Sequence, residues 1–443
     1  MSVDQTQPGY LTEEPKKRGA AFPLSRIRRA FWIGVALALA LVLAGGGAIP
    51  ASETRSRTYA MAVSGWGFDL VTWEANALAE KLSALITNPA DEYPPRLASL
   101  AVLEYMDRAK EIGLIEEQLN RLYSQNACGC ASSNWSLQAR LSELRTEQEE
   151  MRPAVEQVIQ RQVGSVLELA GLTVWERPFP PVQFTFTEPP KKLVVSPRER
   201  IATVYSRMLS PEIGLAHIRA AEQQIDAVAN SRGYITNIGG LGAFPTMVVD
   251  RASLSWVLST VAHEWLHNYL AFYPLGWRYF ASQDMTTINE TVAEIVGNEL
   301  GMETLRQYYP ELVEPEPLSE MLPLVEPEGF VFHDEMRHTR QEVDRLLAEG
   351  KVEEAEAYME SRRKVFVENG YPLRVLNQAY FAFHGSYGTS GASTSPIGPK
   401  LEQLRELSPD LLSFLETVRW FTEPEDLDAA LAEMEDAVSL PAR

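Results

Sequence analysis

Two histidines separated by three residues offer the clearest chemistry in this chain. In the stretch His263, Glu264, Trp265, Leu266, His267, both imidazoles would project from one face of a helix, because residues four apart are neighbours on a helix surface. Two neutral nitrogen donors from one rigid element suit a catalytic zinc ion, and an adjacent carboxylate could take a proton from water on that ion. The spacing predicts a Zn²⁺ site with His263 and His267 as ligands and Glu264 as general base.

A catalytic zinc ion takes a third protein ligand and leaves one position for water. Glu290 meets this requirement from a later helical stretch, and Glu294 follows one turn on along the same face. Glu294 could accept the other ring proton of a ligating histidine, and Asn289 could support the same network. One alternative stays open, because Thr287 and Glu290 together could form a capping box at the start of a helix.

The histidines require a helix to position them, and the flanking sequence predicts one. Asp250 is the predicted N-cap, and the apolar residues that follow fall on one stripe leading to His263, namely Leu254, Val257, Leu258 and Val261. Short β-prone pieces occur at 182–187 and 244–249, and helical signals run from 197 to 231. These patterns predict an α+β, predominantly helical fold with a small β-sheet, whose edge strand at 244–249 would pair with an extended peptide.

The N-terminus has the composition of a membrane anchor. Residues 1–29 hold six Lys or Arg and three Asp or Glu, and residues 30–49 hold no charged side chain. Twenty apolar residues in a helix are long enough to cross a hydrocarbon core of roughly 30 Å. The flanking charge predicts a basic cytoplasmic tail and a single-pass cell-membrane protein of bacterial type with its bulk exported. A cleaved signal peptide is the alternative.

A helical hairpin is predicted between this anchor and the metal-binding residues. Apolar residues recur at threes and fours over 96–123 and again over 137–158, with an expected kink at Pro153. The tip of the hairpin holds Cys128 and Cys130, which either close a small disulfide ring or are a loop feature without a special role.

The paired metal-binding stretches resemble the gluzincin metallopeptidases, which combine a His-Glu-x-x-His helix with a second helix carrying Asn-Glu-x-x-x-Asp/Glu. The resemblance covers residues 244–301 and implies a gluzincin-like catalytic core that hydrolyses peptide bonds. It makes His263, His267 and Glu290 the zinc ligands, Glu264 the general base and Glu294 the supporting carboxylate. It also implies a later Tyr or His that stabilises the oxyanion, for which His384 and Tyr387 are the candidates.

Two features depart from that family. The 22 residues between His267 and Glu290 are slightly more than usual, which predicts an enlarged loop over 272–284. The segment 239–249 lacks the glutamate that holds a free amino terminus in aminopeptidases, so the resemblance does not imply exopeptidase activity. A weaker similarity, to a bacterial aminopeptidase-like family, covers 335–387 and includes Asn377 and Tyr380.

The predicted organisation has five parts: a tail at 1–29, a membrane span at 30–49, a helical hairpin region at 50–172, a metallopeptidase core at 173–310 and a C-terminal helical region at 311–443 that completes the active site. The net charge of −20 argues against nucleic acid as a partner. The partners are therefore a peptide or protein substrate and the membrane. The rival hypothesis is a non-catalytic, membrane-tethered helical scaffold with a structural or vestigial metal site, although such a site would have no need of Glu264.

Overall fold

The computed structural model describes residues 53–124, 131–228, 230–313 and 330–439. Over these ranges the chain is mostly helical with small sheets, which confirms the predicted α+β class. The predicted tail and membrane span, Cys128, Cys130 and residues 314–329 lie outside the described residues. None of the described helices combines the length and the apolar character that crossing a membrane would require.

The N-terminal part is built from four helices, α1 (Glu53–Ala62), α2 (Leu70–Thr87), α3 (Pro95–Ser124) and α4 (Ala131–Leu169). Helices α3 and α4 pack against each other as the predicted hairpin, through a small apolar cluster of Ile112, Ile115, Leu119 and Leu144. Helix α4 continues through Pro153 without interruption.

The described strands form three small sheets. They are β1 (Thr173–Val174), β2 (Arg177–Pro178), β3 (Phe184–Phe186), β4 (Lys191–Pro197), β5 (Tyr205–Leu209), β6 (Ser231–Asn237), β7 (Gly240–Leu241) and β8 (Thr246–Val248). Strands β1 and β2 form a ribbon, and β4 lies between β5 and β6 in an antiparallel sheet. In the third sheet β8 runs parallel to β3 and antiparallel to β7.

Two sequence predictions about this region were wrong. The helix expected over 197–231 is confined to α5 (Leu215–Asp226), because β5 and the start of β6 pair with the apolar strand β4 on either side, and such pairing overrides local propensity. The edge strand expected at 244–249 is instead the central strand β8, because β3 covers its second side. The two edges of this sheet are β3 and β7.

The metal-binding residues lie on α6 (Leu254–Leu270) and α8 (Gln283–Tyr308), which are joined by the single turn α7 (Pro274–Trp277). Ser253 caps α6 by accepting a hydrogen bond from the Trp256 backbone N–H at 3.2 Å, so Asp250 is not the cap. Asp250 instead accepts hydrogen bonds from Tyr105 and Gln148.

The C-terminal part adds the helices α9 (Phe332–Ala348), α10 (Val352–Glu368), α11 (Gln378–His384), α12 (Ile397–Leu407), α13 (Leu411–Val418) and α14 (Glu425–Ser439). The largest hydrophobic core joins α6 and α8 to α3 and α4 on one side and to α12, α13 and α14 on the other. The described residues all belong to one compact unit, Gly47–Arg443. The helices that carry the histidines and Glu290 are therefore buried between N-terminal and C-terminal helices.

Candidate metal centre

Helices α6 and α8 cross at very short distance because α8 carries glycines at the crossing. A Cβ atom at Gly297 would lie 2.8 Å from the Ser259 carbonyl oxygen and 2.9 Å from the Cβ of His263. A Cβ atom at Gly301 would lie 2.5 Å from the Cα of Ser259. Glu290 is two helical turns before Gly297 and therefore lies on the same face of α8. The crossing brings the Glu290 carboxylate to the histidines of α6.

Three donor atoms converge where the two helices face each other. The Nε2 atoms of His263 and His267 are 3.1 Å apart, and the Oε2 atom of Glu290 lies 3.5 Å from the first and 3.7 Å from the second. These three residues form a group that could hold a metal ion. The structure thus brings together the three residues that the sequence predicted as ligands.

Glu290 is not part of a capping box. Helix α8 begins at Gln283 with Ser282 as its N-cap, so Thr287 is already inside the helix. The Thr287 hydroxyl donates to the backbone carbonyl of Gln283 at 3.0 Å. Glu290 is 8% exposed and is directed at the histidines, which excludes the alternative that the sequence left open.

The electrostatics of Glu290 favour its charged form. Burial by itself would raise the pKa of this carboxyl group, but the charges and hydrogen bonds of His267 and His263 outweigh burial and hold the pKa well below its usual value. Its other oxygen, Oε1, accepts a hydrogen bond from the Tyr279 hydroxyl. Glu290 therefore presents one ionised oxygen to the site while the other is held in place.

Asn289 orients one of the histidine rings. The Oδ1 atom of Asn289 lies 3.0 Å from Nδ1 of His267, and its Nδ2 donates to the Leu275 carbonyl oxygen at 3.3 Å. Because the amide nitrogen is committed to a carbonyl, Oδ1 accepts the proton of Nδ1 and leaves Nε2 of His267 as the free donor atom. Asn289 is 1% exposed, so this arrangement is fixed by packing.

Glu264 lies beside the donor atoms and against the backbone of the edge strand β7. A Cβ atom at Gly240 would come within 2.4 Å of Glu264 Oε1, and one at Gly242 would lie 3.4 Å from Oε2. Burial raises the pKa of Glu264, Glu290 raises it further, and His263 and His267 oppose the rise. A carboxylate with a raised pKa and a glycine-lined approach is suited to accepting and returning a proton.

Tyr387 enters the site from the loop after α11. Its ring centroid lies 6.3 Å from that of His263. The charge of Glu290 and burial raise the pKa of Tyr387 well above its usual value, so the hydroxyl keeps its proton. Tyr387 is thus placed as a hydrogen-bond donor next to the three ligand atoms.

His384 and Glu294 have different surroundings from those that the sequence suggested. Nε2 of His384 lies 3.4 Å from the Tyr234 hydroxyl, its ring lies 4.3 Å from that of Tyr380, and burial lowers its pKa to about 4. Glu294 accepts a hydrogen bond from the Thr389 hydroxyl. The ring proton of a ligating histidine is accepted by Asn289 rather than by Glu294.

Sequence reasoning missed two residues of the site, Tyr279 and Lys192. Tyr279 follows α7 in the connecting loop, where one tyrosine among several aromatic residues gives no signal. Lys192 lies at the start of β4, and burial lowers its pKa while the carboxylates of Glu290 and Glu264 partly offset this effect. Its proximity to those carboxylates depends on how the sheet packs against α11, which the sequence does not reveal.

Comparison with known proteins identified no similar protein. No protein-family model, curated protein or solved structure matches the chain.

Proposed function

We propose that this chain is a zinc-dependent peptidase in which His263, His267 and Glu290 hold the metal ion and Glu264 is the general base. The observation that carries the proposal is the convergence of two imidazole nitrogens and one carboxylate oxygen within 3.7 Å of one another, with Glu264 next to them. Anchorage through residues 30–49, with the peptidase domain outside the cytoplasm, remains a prediction from the sequence.

The donor set fits zinc. Ligand atoms about 2.05 Å from a tetrahedral zinc ion stand roughly 3.3 Å apart, and the separations here run from 3.1 to 3.7 Å. Two nitrogens and one oxygen make three protein ligands, which leaves one position for water or substrate, as in catalytic rather than structural sites. Glu290 is already in the ionised state that ligation requires, and the Asn289 hydrogen bond keeps the proton of His267 on Nδ1, so that Nε2 is the atom from which a metal ion displaces a proton.

The chain's own groups then divide the steps of peptide hydrolysis among them. A zinc ion at this centre would polarise the scissile carbonyl and acidify a water molecule. Glu264 accepts the proton of that water and returns it to the leaving amine, since its raised pKa favours transient protonation. The Tyr387 hydroxyl donates a hydrogen bond to the carbonyl oxygen, on which negative charge develops. Tyr279 and Asn289 keep Glu290 and His267 in place.

An extended substrate would bind along strand β7. This strand, Gly240–Leu241, is one of the two edges of its sheet, opposite β3. Because Gly240 has no side chain, the Glu264 carboxylate can pack directly against the strand at this point. Addition of a strand to a sheet edge is a common mode of peptide recognition, and here it places the peptide backbone beside the general base.

The experiment compares hydrolysis of casein and of a mixed peptide library by the zinc-loaded protein, the chelator-treated protein and the Glu264→Gln variant. We expect cleavage that depends on zinc. Glu264→Gln should reduce this cleavage by about a thousandfold or more and leave the zinc content unchanged. Glu303→Gln is the matched control, because Glu303 is exposed on α8 and pairs with Arg306. A zinc-loaded protein that cleaves no peptide would overturn the proposal and favour a structural metal site.

A further inference from the structure

We propose that Lys192 binds a carboxylate group of the substrate, and this inference rests on the proposed peptidase function. Lys192 is the second residue of β4, the central strand of its sheet. Its ammonium group lies 5.3 Å above the centre of the Phe383 ring, on the helix that precedes Tyr387. In the sheet Lys192 pairs with Thr236 of β6, four residues before Gly240, and Gly240 lies against Glu264. Lys192 is therefore on the part of the sheet that leads to the metal centre.

Strand alternation decides which face of the sheet Lys192 occupies. Successive side chains of a strand point to opposite faces. Leu193 and Val195 pack into the cluster that includes residues of α1 and α5, whereas Val194 packs against Ala379 and Ala382 of α11. Lys192 shares the face of Val194 and is covered by α11, which leads directly into the loop that carries Tyr387.

The neighbouring lysine, Lys191, already has partners of its own. The ammonium group of Lys191 donates to the Pro211 carbonyl oxygen and lies 3.7 Å from a carboxylate oxygen of Glu188. Lys191 and Lys192 are adjacent and chemically identical, so the difference between their surroundings comes from the strand face alone. This makes Lys191 a matched control for any role of Lys192.

Lys192 lacks an anion in direct contact. Its nearest charged influences are the carboxylates of Glu290 and Glu264, but within the described ranges no carboxylate oxygen comes within the 4.0 Å of an ion pair with it. Glu290 is committed to the histidines and Tyr279, and Glu264 is needed free for proton transfer. A partly buried ammonium group without a counter-ion is unfavourable, and an anion brought by the substrate removes that penalty.

A carboxylate is the anion that a peptide supplies. It comes from the C-terminus of a short substrate or from an Asp or Glu side chain near the cleaved bond, and either one forms a charge-assisted hydrogen bond with a lysine. The opposite end of a peptide carries an ammonium group, which Lys192 would repel. The site is therefore biased towards substrates with a carboxylate beside the scissile bond and against recognition of a free amino terminus.

Peptide binding tests this inference without turnover. Zinc-loaded protein carrying Glu264→Gln is titrated calorimetrically with tetra-alanine, tetra-alanine amide and the amide of Ala-Ala-Ala-Glu. We expect one or both carboxylate-bearing peptides to bind about 10 to 100 times more tightly than tetra-alanine amide. A preference for the free acid identifies the C-terminus, and a preference for the glutamate amide identifies the side chain.

Variants of the two lysines complete the test in the same background. Lys192→Met is expected to abolish the preference, and Lys192→Arg and Lys191→Met are expected to keep it, with zinc content and melting temperature measured for each. Equal binding of all three peptides to the protein with Lys192 intact overturns the inference, as does a preference that survives Lys192→Met. A protein that binds carboxylate peptides selectively but cleaves nothing would leave this inference standing while the peptidase proposal fails.

Discussion

Asn289 and His267 are joined by a 3.0 Å hydrogen bond between Oδ1 and Nδ1, so the residue next to Glu290, one proposed metal ligand, orients His267, another proposed ligand. The two residues lie on different helices, α8 and α6. The bond therefore couples the packing of these helices to the readiness of the site for a metal ion. One turn of α8 thus supplies both a proposed ligand, Glu290, and the group that orients a second one.

Replacing Asn289 with Leu should weaken zinc binding about 10 to 100-fold, because the ring of His267 loses the acceptor that fixes its tautomer. Asn289→Asp keeps an acceptor and should bind zinc more tightly than Asn289→Leu. Competition with a chromophoric chelator measures both affinities. Equal zinc affinity of the wild type and Asn289→Leu would show that the hydrogen bond has no part in ligation.

The two tyrosines at Glu290 should have separable effects. Tyr387→Phe is expected to lower kcat about 100-fold or more with little change in zinc affinity, because it removes a donor to developing charge. Tyr279→Phe is expected to weaken zinc binding instead, since it releases one oxygen of a ligand. Steady-state kinetics and zinc titration on both variants measure this division. A His384→Gln variant serves as comparison, and a kcat loss there as large as in Tyr387→Phe would argue against the assignment to Tyr387.

The helix crossing should be sensitive to single methyl groups. Gly301→Ala places a Cβ within 2.5 Å of the Ser259 backbone and should lower the free energy of unfolding by about 1 to 3 kcal/mol. Gly297→Ala should also weaken zinc binding, because it pushes His263 away from Glu290. Urea denaturation with zinc titration measures both effects. The control is Ala348→Gly in the last turn of α9, which changes one methyl group away from the site. Gly350→Ala would not serve as a control, because Gly350 has a positive φ of 75°.

Zinc affinity should rise with pH. Burial disfavours the charged form of His267, but the Glu290 and Glu264 carboxylates and the Asn289 hydrogen bond outweigh burial and raise its pKa to about 9 in the metal-free protein. His267 is then protonated at pH 7, and ligation requires its neutral form, so zinc displaces this proton. The logarithm of the zinc association constant should climb by about one for each pH unit between pH 7 and 8.5 and then level off above pH 9. A flat profile over that range would contradict a protonated His267.

The same group makes the stability of the metal-free fold depend on pH in the opposite direction. The folded pKa of His267 lies above its unfolded value of about 6.5. Protonation of His267 therefore adds to the free energy of unfolding, fully below pH 6.5, and this addition is lost as the pH rises through about 9. Thermal unfolding of the chelator-treated protein should show this loss, and the zinc-loaded protein should not, since its His267 is already neutral.

The ligand group could be predicted from sequence because it depends on local geometry. The spacing of His263 and His267 fixes their relative position on one helix, and the Asn289-Glu290 pair lies in the second turn of the next long helix in the chain. The exact role of Glu294 could not be predicted, because its partner Thr389 is 95 residues away in sequence. The role of Asn289 could be predicted only as a member of a network, since the atom it contacts depends on the crossing of α6 and α8.

The sheets were harder to predict because their short strands are defined by pairing. Strand β8 carries apolar residues that suit either an edge or a central position, and the parallel partner β3 that decides the matter lies about 60 residues earlier. The position of Lys192 could not be predicted for a similar reason. A lysine at the start of a strand is ordinary in sequence, and its nearness to Glu264 follows from the strand face and from α11, which is far away along the chain.

The most direct test of the central claim is zinc stoichiometry measured by equilibrium dialysis and elemental analysis. We expect one zinc ion per chain in the wild type and in His217→Ala, an exposed histidine on α5, and a large loss of zinc binding in His263→Ala, His267→Ala and Glu290→Ala. A wild type that binds no zinc at saturating concentration, or a Glu290→Ala variant that binds it as tightly as the wild type, would contradict the assignment of this centre.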